Sequence, residues 1–574
     1  MKTLVILFAI VAPVFMSGQS WKMAVMDENG VMSCKPVTSQ SHAPGHRQSQ
    51  MTGFPVAVTG NATFKNMRNL TLADMDGDGA EDIVFGADSK LYVWSYTGKL
   101  WEVPLTGTAI YPPSVADINN DGFPEIVQTT GGIPANGRVH AFDRNGNAVP
   151  GWPVNFSSHW MMCAATLADM NGDDTLEIIV GERYTSTSGR VHVLRYDGTS
   201  FSTNWPVTLD GLTAVTPSAG DVDNDGIKDI VIHSTKSRYI LGIDGQPKPG
   251  FPVTTEPGQK YSYQSPVIAD FDNDGYYETT GASHGDVPKY YVMSHDGSDF
   301  GGWPITVPDS NWTYSTPTVV KIDGEWKILM SRPIGSEADD MLYCWDAAGN
   351  MQPGFPVVKS GGLEGYISVA DINNDNEYEL VFGSNMLDSL GNGFIHAYRI
   401  SDGTPLTGFP LSPRGWTFMN GVCIGDVNGD GLMDLVALSY TNSFGASTDT
   451  VYVNVYEMNV PVGPGKILWG TYKGSNDRSG YIPGSGTQVQ VSEFSPFVVF
   501  PNPCNGRCRI EISGDVDGGV FFAELYTMTG IRVFSQEIKG PSEYIEFHSP
   551  VDGPYVLKVS GKNRVAYRKL MISR

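Results

Sequence analysis

The sequence predicts an all-β chain whose main part is a β-propeller, and three recurring features lead to that prediction. An acidic motif returns along the chain, beginning at residues 74, 117, 169, 221, 270, 371 and 426. An aromatic–proline motif returns with it, from Gly53-Phe-Pro-Val56 to Gly408-Phe-Pro-Leu411. Between the two lie alternating segments that end in Asn-Gly or Asp-Gly, which are typical of strands and hairpins. A repeat of this length indicates a propeller or a solenoid, and four short antiparallel strands per repeat favour the propeller.

Each repeat is expected to contribute four strands in chain order. The first strand ends at the acidic motif, and the second is the apolar run that follows it, such as Ile83-Val-Phe85. The third strand alternates, as in Arg138-Val-His-Ala-Phe142, and the fourth follows the aromatic–proline pair. Proline cannot donate a hydrogen bond to a neighbouring strand, so the fourth strand should lie at the edge of its sheet. Its aromatic residue is then free to pack between neighbouring units.

The acidic motif has the spacing of a calcium loop. In the first copy, Asp74, Asp76, Asp78 and Asp82 supply side-chain oxygens at positions 1, 3, 5 and 9. Ca²⁺ prefers six to eight oxygen ligands at about 2.3–2.6 Å, and the backbone carbonyl at position 7 can provide another. An EF-hand is excluded because it requires an acid at position 12, where this chain has Phe85 in a strand-like run.

Seven intact copies of the motif predict about seven Ca²⁺ sites. The predicted ligands are Asp74, Asp76, Asp78, Ala80 and Asp82; Asp117, Asn119, Asp121, Phe123 and Glu125; Asp169, Asn171, Asp173, Thr175 and Glu177; Asp221, Asp223, Asp225, Ile227 and Asp229; Asp270, Asp272, Asp274, Tyr276 and Glu278; Asp371, Asn373, Asp375, Glu377 and Glu379; and Asp426, Asn428, Asp430, Leu432 and Asp434. In the motifs that begin at residues 169 and 371, Asp174 and Asn376 replace the glycine at position 6. Both residue types tolerate a left-handed backbone, so these two sites are retained.

The number of blades depends on residues 321–327. This stretch begins with Lys321 instead of an acid, so no ion is expected there, yet it lies in phase between the motifs at 270 and 371. We favour eight blades, in which this stretch belongs to a blade of its own. The alternative is a seven-bladed ring in which it is an inserted loop. Strand-like residues between 21 and 56 are expected to close the ring or to add to its last blade.

Charge and hydropathy place the chain outside the cytoplasm and away from nucleic acid. The formal net charge is −24, and nucleic-acid binding usually requires a basic face. Lys2 and the apolar run at residues 4–11 predict a signal peptide at residues 1–19. No later segment is long and apolar enough to predict a transmembrane segment.

The acidic motif, followed by an apolar strand and Phe85-Gly86-Ala87 or Phe382-Gly383-Ser384, resembles the FG-GAP repeat family and the related VCBS repeats. The resemblance covers roughly residues 50–480. It implies a calcium-loaded β-propeller of the kind found in integrin-like and bacterial surface proteins. On this basis the propeller is assigned to residues 20–483 and a linker to 484–496.

Residues 497–574 have a different pattern, with short alternating strands that predict a small Ig-like β-sandwich. The motifs Val499-Phe-Pro-Asn-Pro-Cys504 and Gly553-Pro-Tyr-Val-Leu-Lys-Val559, in this order, resemble the C-terminal sorting domain of type IX secretion cargo in Gram-negative bacteria. The resemblance implies a partner in the type IX secretion machinery and a secreted or cell-surface location, on the exterior of the outer membrane.

The six cysteines are too few to define the fold. Cys504 and Cys508 are close enough in sequence to bridge a turn, and both a disulfide and two free thiols remain open. The other four, Cys34, Cys163, Cys344 and Cys423, show no metal-ligand spacing and are expected to be buried as small hydrophobic residues.

Two functions from different classes remain open. The favoured one is a binding or adhesion module for an unidentified glycan or protein ligand; the alternative is a carbohydrate-active enzyme similar to polysaccharide lyases. No catalytic residue and no organic cofactor is predicted, and Gly281-Ala-Ser-His-Gly285 matches a nucleophile elbow outside the strand–turn–helix context that it needs. The loop aromatics can either stack on sugars or pack between blades; they are Trp160, Tyr184, Trp312, Tyr314 and Trp416.

Overall fold

The structure, a computed structural model, describes residues 21–26, 32–37, 50–61, 68–132, 137–156, 161–307, 315–331, 340–358, 365–441 and 449–483, and in the C-terminal part 497–500, 504, 507–512, 521–527, 532–538, 542–547, 553–561 and 564–572. The chain divides into two compact units, residues 1–482 and 483–574. The predicted signal peptide and linker, and Trp160, Trp312 and Tyr314, lie outside the described residues.

The described residues of the first unit form strands and one short 3₁₀ helix, Tyr472–Gly474. Three strands precede the repeats: β1 (Trp21–Met26), β2 (Met32–Val37) and β3 (Val56–Gly60). Repeats one to four contain β4 (Thr71–Ala73), β5 (Asp82–Ala87), β6 (Lys90–Ser95) and β7 (Gly98–Pro104); β8 (Thr108–Ala109), β9 (Ser114–Ala116), β10 (Glu125–Gly131), β11 (Gly137–Phe142) and β12 (Val154–Phe156); β13 (Thr166–Ala168), β14 (Glu177–Glu182), β15 (Arg190–Leu194) and β16 (Val207–Thr208); and β17 (Ser218–Gly220), β18 (Asp229–His233), β19 (Ser237–Leu241) and β20 (Val253–Thr254).

Repeats five to eight contain β21 (Gln259–Tyr261), β22 (Ile268–Ala269), β23 (Glu278–Gly285), β24 (Lys289–Met293) and β25 (Ile305–Thr306); β26 (Thr318–Ile322), β27 (Glu325–Ser331), β28 (Asp340–Trp345) and β29 (Val357–Val358); β30 (Ser368–Ala370), β31 (Glu379–Gly383), β32 (Met386–Leu387) and β33 (Ile395–Arg399); and β34 (Cys423–Gly425), β35 (Leu432–Tyr440) and β36 (Asp449–Pro461). Two short strands follow, β37 (Ile467–Trp469) and β38 (Tyr481–Ile482). No helix among the residues that the structure describes is long and apolar enough to cross a membrane.

Each repeat forms one antiparallel sheet, because its strands follow one another through short turns. The third repeat shows the common order, β13-β14-β15-β16. Every residue of β14 is buried, which explains the continuous apolar run that follows the acidic motif. The fourth strands lie at the sheet edges, as the proline predicted. The indole N–H groups of Trp152, Trp205 and Trp303 donate to backbone carbonyls of the next repeat at 2.7–3.0 Å, so these aromatic residues join neighbouring sheets.

The stretch that begins with Lys321 belongs to a sheet of its own. Its four strands pair in the order β26-β27-β28-β29. The first two are joined by a tight turn at Asp323 and Gly324, since Ile322 pairs with Glu325. The prediction of a four-stranded sheet with a shortened hairpin is confirmed here.

The first and last repeats are adjacent, so the sheets close into a ring. Strand β3, from before the first repeat, pairs with β36 and forms the outermost strand of the eighth sheet. The N–H of Glu81, in the first repeat, donates to the carbonyl of Asp426, in the eighth, at 2.9 Å. The hairpin of β1 and β2 has a different role, because it pairs with β32 in the seventh repeat.

Residues 466–482, here called the central segment, contact the first strand of every sheet. Its backbone carbonyls accept hydrogen bonds of 2.8–3.1 Å from first-strand N–H groups in five repeats, namely those of Val115, Leu167, Ala219, Ile268 and Ile424. In the other repeats, the Nδ2 of Asn476 donates to the carbonyl of Leu72 at 2.7 Å, β37 pairs with β30, and β37 also lies against β26. The segment therefore pairs the strand edges that face the centre of the ring.

Two buried basic side chains anchor the central segment. Lys473 is 1% exposed and its Nζ donates to Ser218 Oγ at 2.6 Å and to the carbonyls of Thr216 and Pro217. Arg478 is fully buried and donates to the carbonyls of Pro113 and Tyr472 at 2.9 and 2.8 Å. No repeated motif in the sequence predicts this segment.

The second unit contains two antiparallel sheets with one shared core. Its strands are β39 (Phe497–Phe500), β40 (Arg507–Ile512), β41 (Phe521–Thr527), β42 (Arg532–Ile538), β43 (Ser542–Glu546), β44 (Gly553–Gly561) and β45 (Arg564–Ile572). The sheets have the orders β39-β40-β43 and β42-β41-β44-β45, and Ile510, Leu525 and Leu557 are buried between them. A small sandwich of this kind is what the alternating pattern predicted.

The cysteines lie mostly as expected. Cys163, Cys344 and Cys423 are buried, but Cys34 is exposed. The expectation of burial is wrong for Cys34 because it lies on β2, an edge strand of its sheet. Cys504 and Cys508 are both buried, carry free thiols and are hydrogen-bonded to each other.

Candidate metal centres

The seven acidic motifs form hairpin loops between the first and second strands of their sheets. In each loop the residue at position 9 pairs with the residue that ends the first strand, as Asp82 does with Ala73 and Asp434 with Gly425. Position 9 is also the first residue of the second strand in six loops, whereas β35 already begins at Leu432. All the predicted ligand residues therefore lie in equivalent places on the repeats.

A common hydrogen-bond network shapes the seven loops. The carboxylate at position 1 accepts a bond of 2.7–3.2 Å from the backbone N–H at position 6 in every loop. The carboxylate at position 5 accepts one of 2.8–3.0 Å from the N–H at position 7. The acid at position 9 accepts one of 2.9–3.3 Å from the N–H at position 2. These bonds fix the carboxylates at positions 1, 5 and 9 against the backbone of their own loop.

The backbone turns twice through the left-handed region in each loop. Position 6 has φ between 66° and 95°, and this includes Asp174 at 67° and Asn376 at 66°. The prediction that these two residues can replace glycine is confirmed. Position 4 is left-handed as well, with φ between 59° and 83°. This second turn was not predicted, although position 4 carries a signal. It is glycine or asparagine in all seven copies, namely Gly77, Asn120, Gly172, Asn224, Asn273, Asn374 and Gly429.

Three loops bring carboxylate oxygens from three acids within 4.8 Å of one another. They contain Asp74, Asp76 and Asp78; Asp221, Asp223 and Asp225; and Asp270, Asp272 and Glu278. The other four loops have asparagine at position 3, and its Nδ2 donates to the acid at position 5 at 2.9–3.2 Å. Because Ca²⁺ is bound by oxygen, these amides would present their Oδ1 atoms to an ion.

The acid at position 9 is buried in every loop, at 3% exposure or less. Burial is the main cause of a raised pKa at this position, and neighbouring acids of the same loop add to it. The pKa rises to about 7 in Asp82, Glu125, Glu177, Asp229, Glu379 and Asp434, and to about 8 in Glu278. A bound cation would favour the ionised form and remove this cost.

The sixth repeat differs from the others at two positions. Lys327 stands in the register of position 9, because it pairs with Val320, the residue before Lys321 at position 1. The expectation that Lys321 places its ammonium group where its own loop would hold a cation is wrong. Its Nζ instead donates to Asn273 Oδ1 in the fifth loop at 2.8 Å and lies 4.9 Å from the Trp326 ring centroid.

Of the five loop aromatics, the two that the structure describes pack against the protein. Trp416 is fully buried, and the Tyr184 ring is covered by the guanidinium of Arg190 at 3.2 Å. An open cavity of about 450 Å³ lies instead between β3 and the β6–β7 hairpin, where the first and eighth sheets meet. It is lined by Ala57, Val58, Thr59, Tyr92, Trp94, Lys99, Glu102 and Thr450.

The Gly281–Gly285 stretch lies within strand β23 and makes no strand–turn–helix elbow. Its Ala282 and Ser283 are buried. The local structure therefore gives no support to a serine nucleophile at this place.

Fold and loops together define the class of this protein: an all-β, β-propeller-like repeat protein with acidic loops between the first two strands of its repeats. Residues 74–128 match the family model of the FG-GAP-like repeat. Residues 498–573 match that of the secretion system C-terminal sorting domain. The chain thus carries an FG-GAP-like repeat and a type IX sorting domain. The sorting domain indicates export to the cell surface or beyond, through an interaction with the type IX secretion system.

Several solved structures are similar to the chain at low identity. The V. cholerae biofilm matrix protein Bap1 has 13% identity and a TM-score of 0.48, over 75% of this chain and 93% of that one. The exotype rhamnogalacturonan lyase YesX has 13% identity and a TM-score of 0.44, over 75% of both chains. The quinohemoprotein alcohol dehydrogenase of Comamonas testosteroni has 12% identity and a TM-score of 0.41, over 73% and 79%. No curated protein matches the sequence.

Deletion of residues 497–574 is expected to leave the repeat unit folded but trapped in the periplasm. The deletion removes the sorting domain, whereas the repeat unit ends at Ile482. Cell fractionation with surface labelling measures the location, and circular dichroism of the truncated protein controls for folding. Normal amounts of truncated protein on the cell surface would show that the tail does not direct sorting.

Proposed function

We propose that this protein is a secreted, cell-surface, calcium-binding β-propeller of eight blades that binds glycan or protein ligands. The observation that carries the proposal is the hydrogen-bond network shared by seven loops, each of which has oxygen-bearing side chains at positions 1, 3, 5 and 9. A signal peptide at residues 1–19 would start the export that the sorting domain completes.

Calcium fits the chemistry of the loops better than other common metals. The side chains at positions 1, 3, 5 and 9 offer only oxygen atoms, and hard cations prefer oxygen. Zinc and copper sites favour histidine or cysteine, which these positions lack. Each loop also buries an acid that needs a positive charge nearby.

Eight blades are supported by the sheet pairing. Eight repeats succeed one another in the described residues, each with at least three strands in its sheet, including the repeat that begins its loop with Lys321. Strand β3 completes the eighth sheet and joins the two ends of the ring. Closure by a strand from the other end of the chain removes the exposed edge that an open array would have.

We place the ligand site on the outside of the ring, because the central segment occupies its centre. The backbone of residues 466–482 occupies the first-strand edges at the centre, so we place the ligand site elsewhere. The cavity between β3 and the β6–β7 hairpin offers Tyr92 and Trp94 beside the ion pair of Lys99 and Glu102, which is 2.8 Å long. Aromatic surface next to charged hydrogen-bonding groups suits a sugar ring, which has an apolar face and a polar rim.

Trp94→Ala is expected to reduce binding to the best ligand on a glycan array at least about tenfold, since burial of an aromatic ring is worth about 1.5–3 kcal/mol. Tyr96→Ala is the matched control, because Tyr96 lies on the same hairpin, is 41% exposed and does not line the cavity. Trp94→Phe keeps a ring if the alanine variant is unstable. Equal binding by all three variants would exclude this cavity, and release of unsaturated sugars during the assay would favour the lyase alternative.

A further inference from the structure

The fourth loop already contains a cation that belongs to the chain. The Nζ of Lys248 lies 2.8 Å from Asp223 Oδ2, 2.9 Å from Asp225 Oδ2 and 3.1 Å from Asp229 Oδ1. These carboxylates occupy positions 3, 5 and 9 of the loop. The side chain of Asp229 is fully buried and that of Lys248 is 18% exposed, so the ammonium group reaches the interior of the loop.

The backbone of Lys248 occupies a place that recurs in the other repeats. Its N–H donates to the carbonyl of Ile240, in the third strand of its sheet, at 2.9 Å. The equivalent bond of 2.9–3.1 Å is made in four other repeats by Val149, Phe201, Phe300 and Leu406. All four side chains are apolar, so those repeats carry no ammonium group at this place.

The sixth repeat shows that this place faces position 9. Gln352 makes the equivalent backbone bond, to the carbonyl of Cys344 at 2.8 Å. Its Oε1 accepts a hydrogen bond from the Nζ of Lys327, which stands in the register of position 9. In both repeats a lysine therefore links position 9 to the place of residue 248. In the fourth repeat the lysine is Lys248 itself, and in the sixth it is Lys327, at position 9.

Other cations near the loops make different contacts. Lys466 Nζ touches one position-1 carboxylate, Asp371, at 2.5 Å, and otherwise the amides of Asn374 and Asn376. Arg399 forms ion pairs with Asp375 and Glu377, on the exposed side of the loop that begins at Asp371, at 3.0 and 2.9 Å. Among the residues that the structure describes, only Lys248 contacts three ligand-position carboxylates of one loop.

We propose that Lys248 is the resident cation of the fourth loop, so that this loop excludes Ca²⁺ while the other six loops load. The proposal rests on the calcium function proposed above. A calcium ion about 2.3–2.6 Å from the same oxygens would meet the ammonium group at close range. Like charges at that separation repel each other strongly, so calcium would first have to displace the lysine and leave its charge unpaired.

The test is a count of bound calcium per chain by elemental mass spectrometry. Full-length protein is dialysed to equilibrium against about 10 mM free Ca²⁺, above the dissociation constants of about 10⁻⁴–10⁻³ M of extracellular modules, and bound calcium is the excess over the dialysis buffer. The wild type is expected to hold six ions and Lys248→Leu, which copies Leu406, seven. Gln352→Leu is the matched control: it changes the same backbone place in a repeat without the acids and should hold six.

A second pair of variants decides the question if Lys248→Leu does not fold. Asp225→Ala should still hold six ions, whereas Asp274→Ala, at the same position of the fifth loop, should hold five. Seven ions in the wild type, with one lost in Asp225→Ala, would overturn the role of Lys248 and leave the calcium proposal standing. An equal count in wild type and folded Lys248→Leu would also overturn it. No bound ion in any variant would overturn both proposals.

Discussion

Removal of calcium with excess EGTA is expected to lower the melting temperature of the full-length protein substantially. Ions that bind only the folded state stabilise it by mass action. With dissociation constants of about 10⁻⁴–10⁻³ M and about 1 mM Ca²⁺, each site contributes about 0.4–1.4 kcal/mol. Six sites together contribute about 2–8 kcal/mol, which is a large part of the 5–15 kcal/mol or so that stabilises a typical domain.

Differential scanning calorimetry before and after chelation measures this effect. Re-addition of excess Ca²⁺ serves as the control and should restore the original melting temperature. An unchanged melting temperature in EGTA would contradict the assignment of stabilising ions to these loops.

The second large effect is expected from truncation within the repeat unit. A chain that ends at residue 465 should fail to unfold cooperatively, whereas one that ends at residue 483 should melt like the intact repeat unit. The shorter chain loses the carbonyl partners of five first-strand N–H groups. An unsatisfied buried polar group costs about 1–3 kcal/mol, so the total cost of about 5–15 kcal/mol matches the whole stability of a typical domain.

A point variant separates this effect from loss of chain length. Arg478→Met should destabilise the full-length protein by about 3 kcal/mol or more, because it leaves several buried partners of the guanidinium unsatisfied. Lys289→Ala is the control, since Lys289 forms an exposed ion pair with Glu256 and should change stability by less than about 1 kcal/mol. Cooperative melting of the 465-residue chain at the normal temperature would contradict the role of the central segment.

Features that recur along the chain could be predicted from the sequence. The acidic motif predicted that each loop lies between the first and second strands of its sheet, because the same spacing precedes a similar apolar strand in all seven copies. The left-handed turns at Asp174 and Asn376 followed from the limited set of residues that tolerate this backbone. The aromatic–proline motif located the outer strands because proline cannot serve in the middle of a sheet.

Features that occur once could not be predicted in the same way. The central segment binds through backbone carbonyls, which any residue supplies, so residues 466–482 carry no motif. The contacts of Lys248 and Lys321 depend on which side chains the sheets bring together, and sequence spacing does not show this. For Trp416 the sequence left sugar stacking and packing between blades open, and the residue is fully buried because its loop packs against the last repeat.

Long-wavelength anomalous diffraction from crystals of the repeat unit grown with Ca²⁺ tests the central claim most directly. We expect anomalous peaks in six acidic loops, each about 2.3–2.6 Å from the oxygens at positions 1, 3, 5 and 9, and no peak in the fourth loop, where Lys248 lies. Absence of peaks from those six loops at saturating Ca²⁺ would contradict the claim that these repeats are calcium sites.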